Sequence, residues 1–236
     1  MIHSQFNFFM IRDNVNRVAA AIHEKCIKAN RIPKDVKLIA VSKNFGVPEI
    51  MEAYEAGIRR FGENRAQELR NKAGQINKEF EWHFIGHLQT NKVKYITDKV
   101  KYIHSIDSLK LAETVDRLGG VREERIKVLL EIKTSDEATK YGLDTEEEIY
   151  KTAEFCRSSA NLELTGLMTI APLTDEEAEI RKSFISLREL GERLKKEGYN
   201  IAELSMGMTS DFGIAIEEGA TYVRIGTAIF GERNYI

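Results

Sequence analysis

Proline is scarce in this chain. Three prolines in 236 residues leave no room for a Pro-rich linker, and no low-complexity run interrupts the sequence. The expectation is therefore one domain over residues 1–236. Cysteine is scarcer still: Cys26 and Cys156 lie far apart with no partner motif. Two such thiols exclude a disulfide scaffold and read as reduced, structural side chains of a cytoplasmic protein. An excess of charge of one sign is also missing. The 35 basic and 37 acidic side chains leave a formal net charge of −2. That balance excludes a general nucleic-acid or membrane-surface role. Nor is there a long apolar run. The patch Phe6-Asn7-Phe8-Phe9-Met10-Ile11 is short, lacks a basic segment before it and meets Arg12-Asp13 at once. It reads neither as a signal peptide nor as a membrane span.

What the chain has instead is alternation. Residues 13–29 read as a leading amphipathic helix, with Val15, Val18, Ala19 and Ile22 near helical spacing. After Pro33, short apolar runs alternate with longer helical patterns. Eight runs read as strands: 37–43, 58–64, 82–86, 102–106, 127–132, 164–170, 202–206 and 222–226. Pro48 in a first helical turn, Gly57 and Gly198 at helix ends and acids at 144–147 mark the helices between them. Such alternation implies parallel strands with right-handed crossovers. Eight strands after a leading helix point to a single α/β domain, a closed (β/α)8 TIM barrel with an N-terminal helix. An open doubly wound sheet is the alternative, because periodicity does not report closure.

In a barrel the C-terminal strand ends share one face, and that face holds the site. The ends bring up Lys43, Asn64, His83, the segment Ser205-Met206-Gly207-Met208-Thr209 and the segment Arg224-Ile225-Gly226-Thr227. A desolvated lysine is a nucleophile for aldehydes and ketones. Glycines at 207 and 226 admit close backbone approach, and Ser205, Thr209 and Thr227 offer hydroxyls where this fold commonly holds phosphate. A lysine nucleophile beside a phosphate site fits pyridoxal phosphate, and it also fits an aldolase acting on a phosphorylated sugar. Taken singly, each feature has a plainer reading: Lys43 as a rim lysine, Arg224 as a structural arginine, 205–209 as a turn. His83 and His87 straddle a strand end without a carboxylate or cysteine set, so no metal site is expected. His104 and His23 read as ordinary histidines.

Five segments carry a resemblance together. Ala40-Val41-Ser42-Lys43, Phe61-Gly62-Glu63-Asn64, the run from Trp82 to Lys92, the run from Leu204 to Phe212 and the run from Val223 to Gly231 occur in this order. Over about residues 37–231 the chain resembles the YggS/PROSC family of pyridoxal phosphate homeostasis proteins. The resemblance implies a barrel like the N-terminal domain of alanine racemase, with pyridoxal 5'-phosphate in a Schiff base on Lys43. It implies that Ser205, Thr209, Gly226 and Thr227 hold the phosphate, that Arg224 faces the pyridine nitrogen, and that Asn64 and His83 line the ring. Thr209 stands where the family usually has serine, which keeps the hydroxyl. His87 stands where the family often has proline and is given no role.

The implied function is cofactor carriage and buffering in the cytoplasm. It comes without catalytic turnover, in a monomer with pyridoxal phosphate-dependent apo-enzymes as candidate partners. The alternative is an amino-acid racemase, which needs two bases on opposite faces of the cofactor. Tyr222 and Tyr235 are not obvious second bases. A lysine aldolase ranks third, since Glu131 is the only carboxylate well placed at a strand end.

Overall fold

The computed structural model describes residues 3–120, 122–135 and 141–231. Eight parallel strands form a closed barrel in sequence order. They are β1 (Lys37–Val41), β2 (Arg60–Glu63), β3 (Glu81–Phe84), β4 (Tyr102–Ile106), β5 (Ile126–Glu131), β6 (Leu162–Met168), β7 (Glu203–Ser205) and β8 (Tyr222–Ile225). β1 pairs with both β2 and β8, so the ring has no edge and the open-sheet alternative falls away. The helices are α1 (His3–Lys28), α2 (Val47–Glu55), α3 (Ala66–Ala73), α4 (Leu109–Gly119), α5 (Glu146–Ser158), α6 (Glu177–Lys196), α7 (Phe212–Glu217) and α8 (Thr227–Phe230).

Period-two alternation sorts each strand between two cores. Ala40, Phe61, Phe84, Ile103, Val128, Leu130, Leu167, Val223 and Ile225 face outward and join the helices in one large cluster. Ile39, Tyr102, Leu129, Met168 and Tyr222 form a second, smaller cluster inside the barrel. Branched aliphatics usually fill such an interior. Here His83, His104, Ser205 and Arg224 are buried among these few apolar residues.

The leading helix has a structural reason. α8 has only four residues and leaves a gap in the outer ring. α1 fills it with Ile11, Val15, Val18, Ile22 and Cys26, spaced as one helical face and all buried. Asn14 Nδ2 donates to the Ile229 carbonyl at 2.9 Å, and Arg31 Nη1 to the Ala220 carbonyl at 2.6 Å.

Element boundaries differ from expectation at several ends. α1 begins at His3 rather than at residue 13. Between β3 and β4 the connection is not an α-helix but a 3₁₀ turn, Thr90–Tyr95. Val93 and Ile96 are both fully buried. Their spacing of three residues suits three residues per turn better than 3.6.

Candidate functional site

β1 ends at Val41, so Lys43 lies two residues past the strand, half-buried at the C-terminal mouth. Both of its neighbours are pinned. Ser42 Oγ donates to Glu63 Oε1 at 2.6 Å, and Lys72 Nζ donates to the Ser42 carbonyl at 2.8 Å. Asn44 takes the left-handed conformation, φ 68°, and its N–H donates to Glu68 Oε1 at 2.6 Å. Lys72 ties both acids together, 2.7 Å from Glu63 Oε1 and 2.7 Å from Glu68 Oε1. Burial pushes the Glu63 carboxyl up against the pull of Lys72. The effect of this network is to fix the backbone that carries Lys43 from both sides.

From Arg224 at the mouth a polar column runs down through the barrel. Arg224 Nη1 donates to Ser205 Oγ at 2.7 Å, and Nη2 donates to the Thr169 carbonyl at 2.9 Å. Ser205 Oγ lies 2.9 Å from His104 Nδ1, and His104 Nε2 lies 2.8 Å from His83 Nδ1. Donor counting sets the direction. Ser205 accepts from Arg224, so its own proton goes to His104 Nδ1. His104 then carries its proton on Nε2 and gives it to His83 Nδ1. His83 Nε2 points at Glu81 Oε2, 3.5 Å away at the other end of the barrel. Burial lowers the pKa of both imidazoles, His104 most strongly, and keeps them neutral. The hydrogen bond with His83, the charge of Arg60 and the hydrogen bond from Lys101 hold the Glu81 carboxyl below the usual carboxylate range. Burial brings Arg224 down to about 10, still charged at neutral pH.

The turns after β7 and β8 close the other side of the mouth. Gly207 has φ 92°, and its carbonyl accepts the Arg224 N–H at 2.9 Å. A Cβ there would sit 2.5 Å from Ala215 Cβ. Asp211 Oδ1 accepts from the Met208 N–H and shapes the turn that presents Thr209. Gly226 opens α8 and lies against Val41, with Thr227 exposed beside it. Asn64, just past β2, holds a buried Oδ1 without a partner among the described residues. Past β3, His87 Nδ1 lies 2.9 Å from Asp107 Oδ2, and its ring stacks on Tyr141 with centroids 3.7 Å apart.

Six of the expected site residues stand at this mouth: Lys43, Asn64, Thr209, Arg224, Gly226 and Thr227. The other two lie deeper. Ser205 and His83 are fully buried links of the column. His104, read from sequence as ordinary, is the link between them. One signal pointed to it: Tyr102 and His104 are two apart, so they share the inward face of β4. Glu63, Lys72 and Asp211 were missed as site residues, although Glu63 ends β2 beside Asn64; Glu131 was named only as the strand-end carboxylate of the aldolase reading. Tyr235 lies outside the described residues.

Residues 11–234 match the family described as "Alanine racemase, N-terminal domain". A pyridoxal phosphate homeostasis protein of Aquifex aeolicus is 42% identical over 226 residues, covering 94% of this chain and 98% of the relative. A protein of the same name from Pseudomonas aeruginosa is 40% identical, covering 95% of this chain and 96% of the relative. Among solved structures, PipY of Synechococcus elongatus with PLP bound superposes with a TM-score of 0.78 at 37% identity. That match covers 89% of this chain and all of that one. Alanine racemase of Corynebacterium glutamicum superposes at 0.72 with 17% identity, which shows a common fold alone.

Proposed function

Because this chain belongs to the pyridoxal phosphate homeostasis proteins, a family built on the alanine racemase N-terminal domain, we propose that it binds pyridoxal 5'-phosphate on Lys43 and holds it for delivery. The observation that carries this reading is the convergence of one lysine, one buried guanidinium and two glycine-containing turns at a single barrel mouth. The residues fit the group. The orphaned Asn64 Oδ1 awaits a donor, and the glycines at 207 and 226 let their turns pack closely on α7 and on Val41 beside the mouth. When bound, the cofactor supplies an aldehyde within reach of an amine and a ring that withdraws electrons.

The chain's own residues then have separate tasks. Lys43, on a backbone clamped by Glu63, Glu68 and Lys72, presents its amine. Thr209, Gly226 and Thr227 bind the phosphate with hydroxyl and backbone donors. Asn64 meets the ring edge. Arg224 faces the pyridine nitrogen and, being charged, disfavours a proton there. Ser205 and His83 act from beneath, by holding Arg224 in place. A ring kept unprotonated stabilises a substrate carbanion poorly, which favours carriage over turnover. The two cysteines, both free and buried, suit a cytoplasmic setting, where a monomer would hand the cofactor to apo-enzymes.

Borohydride reduction of the cofactor-loaded protein followed by peptide mapping tests the reading. The pyridoxyl group is expected on Lys43. Its appearance chiefly on Lys92 or another lysine would refute the assignment.

A further inference from the structure

The mouth holds one carboxyl group that neither the fold nor the assigned contacts use. Glu131 ends β5. Leu129, two residues earlier, belongs to the cluster inside the barrel, so Glu131 also faces inward. It is 7% exposed, and its Oε2 is buried with no hydrogen-bond partner among the described residues. A buried carboxylate oxygen left unpaired is destabilising, more so when the group is charged. Nothing in the packing of β5 needs an acid there: its β6 neighbour in register is Met168. The charged groups that act on it are Asp107, past the end of β4, and Arg224 of β8.

Its place on the ring is specific. β1 and β5 are four strands apart in a closed ring of eight, and therefore opposite each other. Lys43 follows β1, and the phosphate turns follow β7 and β8. A ligand attached on that side leaves the sector over β4 and β5 open to whatever displaces it. That sector carries the carboxyl groups of Glu131 and Asp107, and its rim is the His87–Tyr141 stack. Two carboxylates complement a cation, and a primary amine arrives at neutral pH as an ammonium ion.

We propose that Glu131 is the acid–base group that moves protons when a primary amine exchanges with Lys43 at the bound aldehyde carbon. This rests on the reading of Lys43 as the attachment residue. The carboxylate takes one proton from the incoming ammonium and frees its lone pair, which forms the new bond to carbon. A second proton passes by way of Glu131 from the incoming nitrogen to the Lys43 nitrogen, and the carbon–Lys43 bond breaks. Glu131 then returns the first proton to the departing Lys43 amine. With the nitrogen bound to carbon carrying one proton before and after, two protons leave the incoming nitrogen, two reach Lys43, and Glu131 ends as it began. No oxidant or reductant is needed. Burial, with the nearby Asp107 charge, moves the carboxyl up to about 7, where it both takes and returns protons at neutral pH.

The test compares the parent with Glu131→Gln and Glu131→Asp, each loaded with pyridoxal phosphate. Decay of the protein-bound absorption band is followed after adding alanine or Nα-acetyl-lysine. Glu131→Gln should still take the cofactor on Lys43 but exchange it about 100-fold more slowly, and lose the pH dependence near 7. Glu131→Asp should recover part of the rate. Dependence on Glu131 with alanine points to free amino acids as the amine, and with Nα-acetyl-lysine to a lysine of an acceptor protein. Either supports the proposal. In the ligand-free protein, isotope-edited infrared spectra should contain a protonated carboxyl that titrates near pH 7 and is missing from Glu131→Gln. Exchange by Glu131→Gln at the parental rate with the parental pH profile would overturn the role of Glu131 alone. A parent protein that takes no cofactor on Lys43 would overturn the attachment reading with it.

Discussion

Arg224 and Ser205 are joined by a 2.7 Å hydrogen bond across the β7–β8 pair, and that bond limits what Ser205 has left to give. The hydroxyl accepts from the guanidinium and donates to His104, so it keeps no proton for a phosphate.

Ser205 and Thr209 should therefore respond differently to truncation. Thr209→Ala removes a charge-assisted donor worth roughly 1.5–3 kcal/mol, a loss of about tenfold or more in affinity for pyridoxal phosphate. It should barely change binding of unphosphorylated pyridoxal. Ser205→Ala acts through Arg224 and should weaken both ligands by a similar factor. Titration calorimetry with the two ligands reads the difference. A phosphate-selective loss in Ser205→Ala would place its hydroxyl in the phosphate site after all.

The clamp on Lys43 makes a stability prediction. Glu63 is fully buried and is paired with Lys72, whose side chain is 9% exposed. Lys72→Met leaves a buried carboxylate without its partner, at a cost of about 3–5 kcal/mol. Urea denaturation should register that as a lower midpoint with an unchanged slope. Adding Glu63→Gln should recover most of it, because the charge is then gone. A Lys72→Met protein as stable as the parent would mean that Glu63 already carries a proton.

Two buried groups should shape stability against pH in opposite ways. His104 has its pKa lowered by burial, so the unfolded chain takes up a proton below the ordinary value of 6.5 and the folded chain does not. Its contribution is present above 6.5 and falls by about 1.4 kcal/mol per pH unit below it. Glu131 is raised to about 7 from 4.5. Its contribution is fully present below 4.5 and is lost as pH rises to 7, by about 3 kcal/mol. In ligand-free protein, Glu131→Gln should gain on the parent steadily between pH 4.5 and 7, and stay level above. A difference that does not change with pH would show an ordinary carboxyl at 131.

The barrel was legible because its strands obey one rule. Apolar runs of five to seven residues, separated by capped helices, say β/α whatever their order in space. Closure was not legible, since it rests on β1 pairing with β8, residues 37–40 with 222–225. At the site, residues next to glycine turns were readable because a turn at a strand end advertises itself. The column was not. His83, His104 and Ser205 are polar residues in apolar strands, more than twenty residues apart from one another. What joins them is the barrel interior, which no local pattern describes. Lys72 was hidden for the same reason: on a helix it reads as a solvated lysine, and only the tertiary fold buries it beside Glu63.

The two glycines of the mouth separate the demands of the fold from those of the site. Gly207 has φ 92°, a region that costs an L-residue roughly 1–2 kcal/mol. A Cβ there would also meet Ala215 Cβ at 2.5 Å. Gly207→Ala should therefore destabilise the protein by more than the backbone cost alone, and it should displace the turn that carries Thr209. Trimming the neighbour, with Ala215→Gly, removes that contact but leaves Phe212 Cα at 3.0 Å and the backbone strain, so recovery should be partial. Gly226 differs. Its φ is −113°, open to any residue, and the nearest atom to a Cβ is the Val41 carbonyl oxygen at 3.3 Å. Gly226→Ala brings no left-handed strain, but its methyl presses on Val41 and shifts the turn assigned to the phosphate by a small amount. Thermal unfolding and ligand titration on the same two proteins decide the matter. Stability should drop mainly in Gly207→Ala. Gly226→Ala should lose affinity for pyridoxal phosphate while its melting temperature stays near that of the parent. A Gly226→Ala protein that binds pyridoxal phosphate as tightly as the parent would move the phosphate away from the β8 turn.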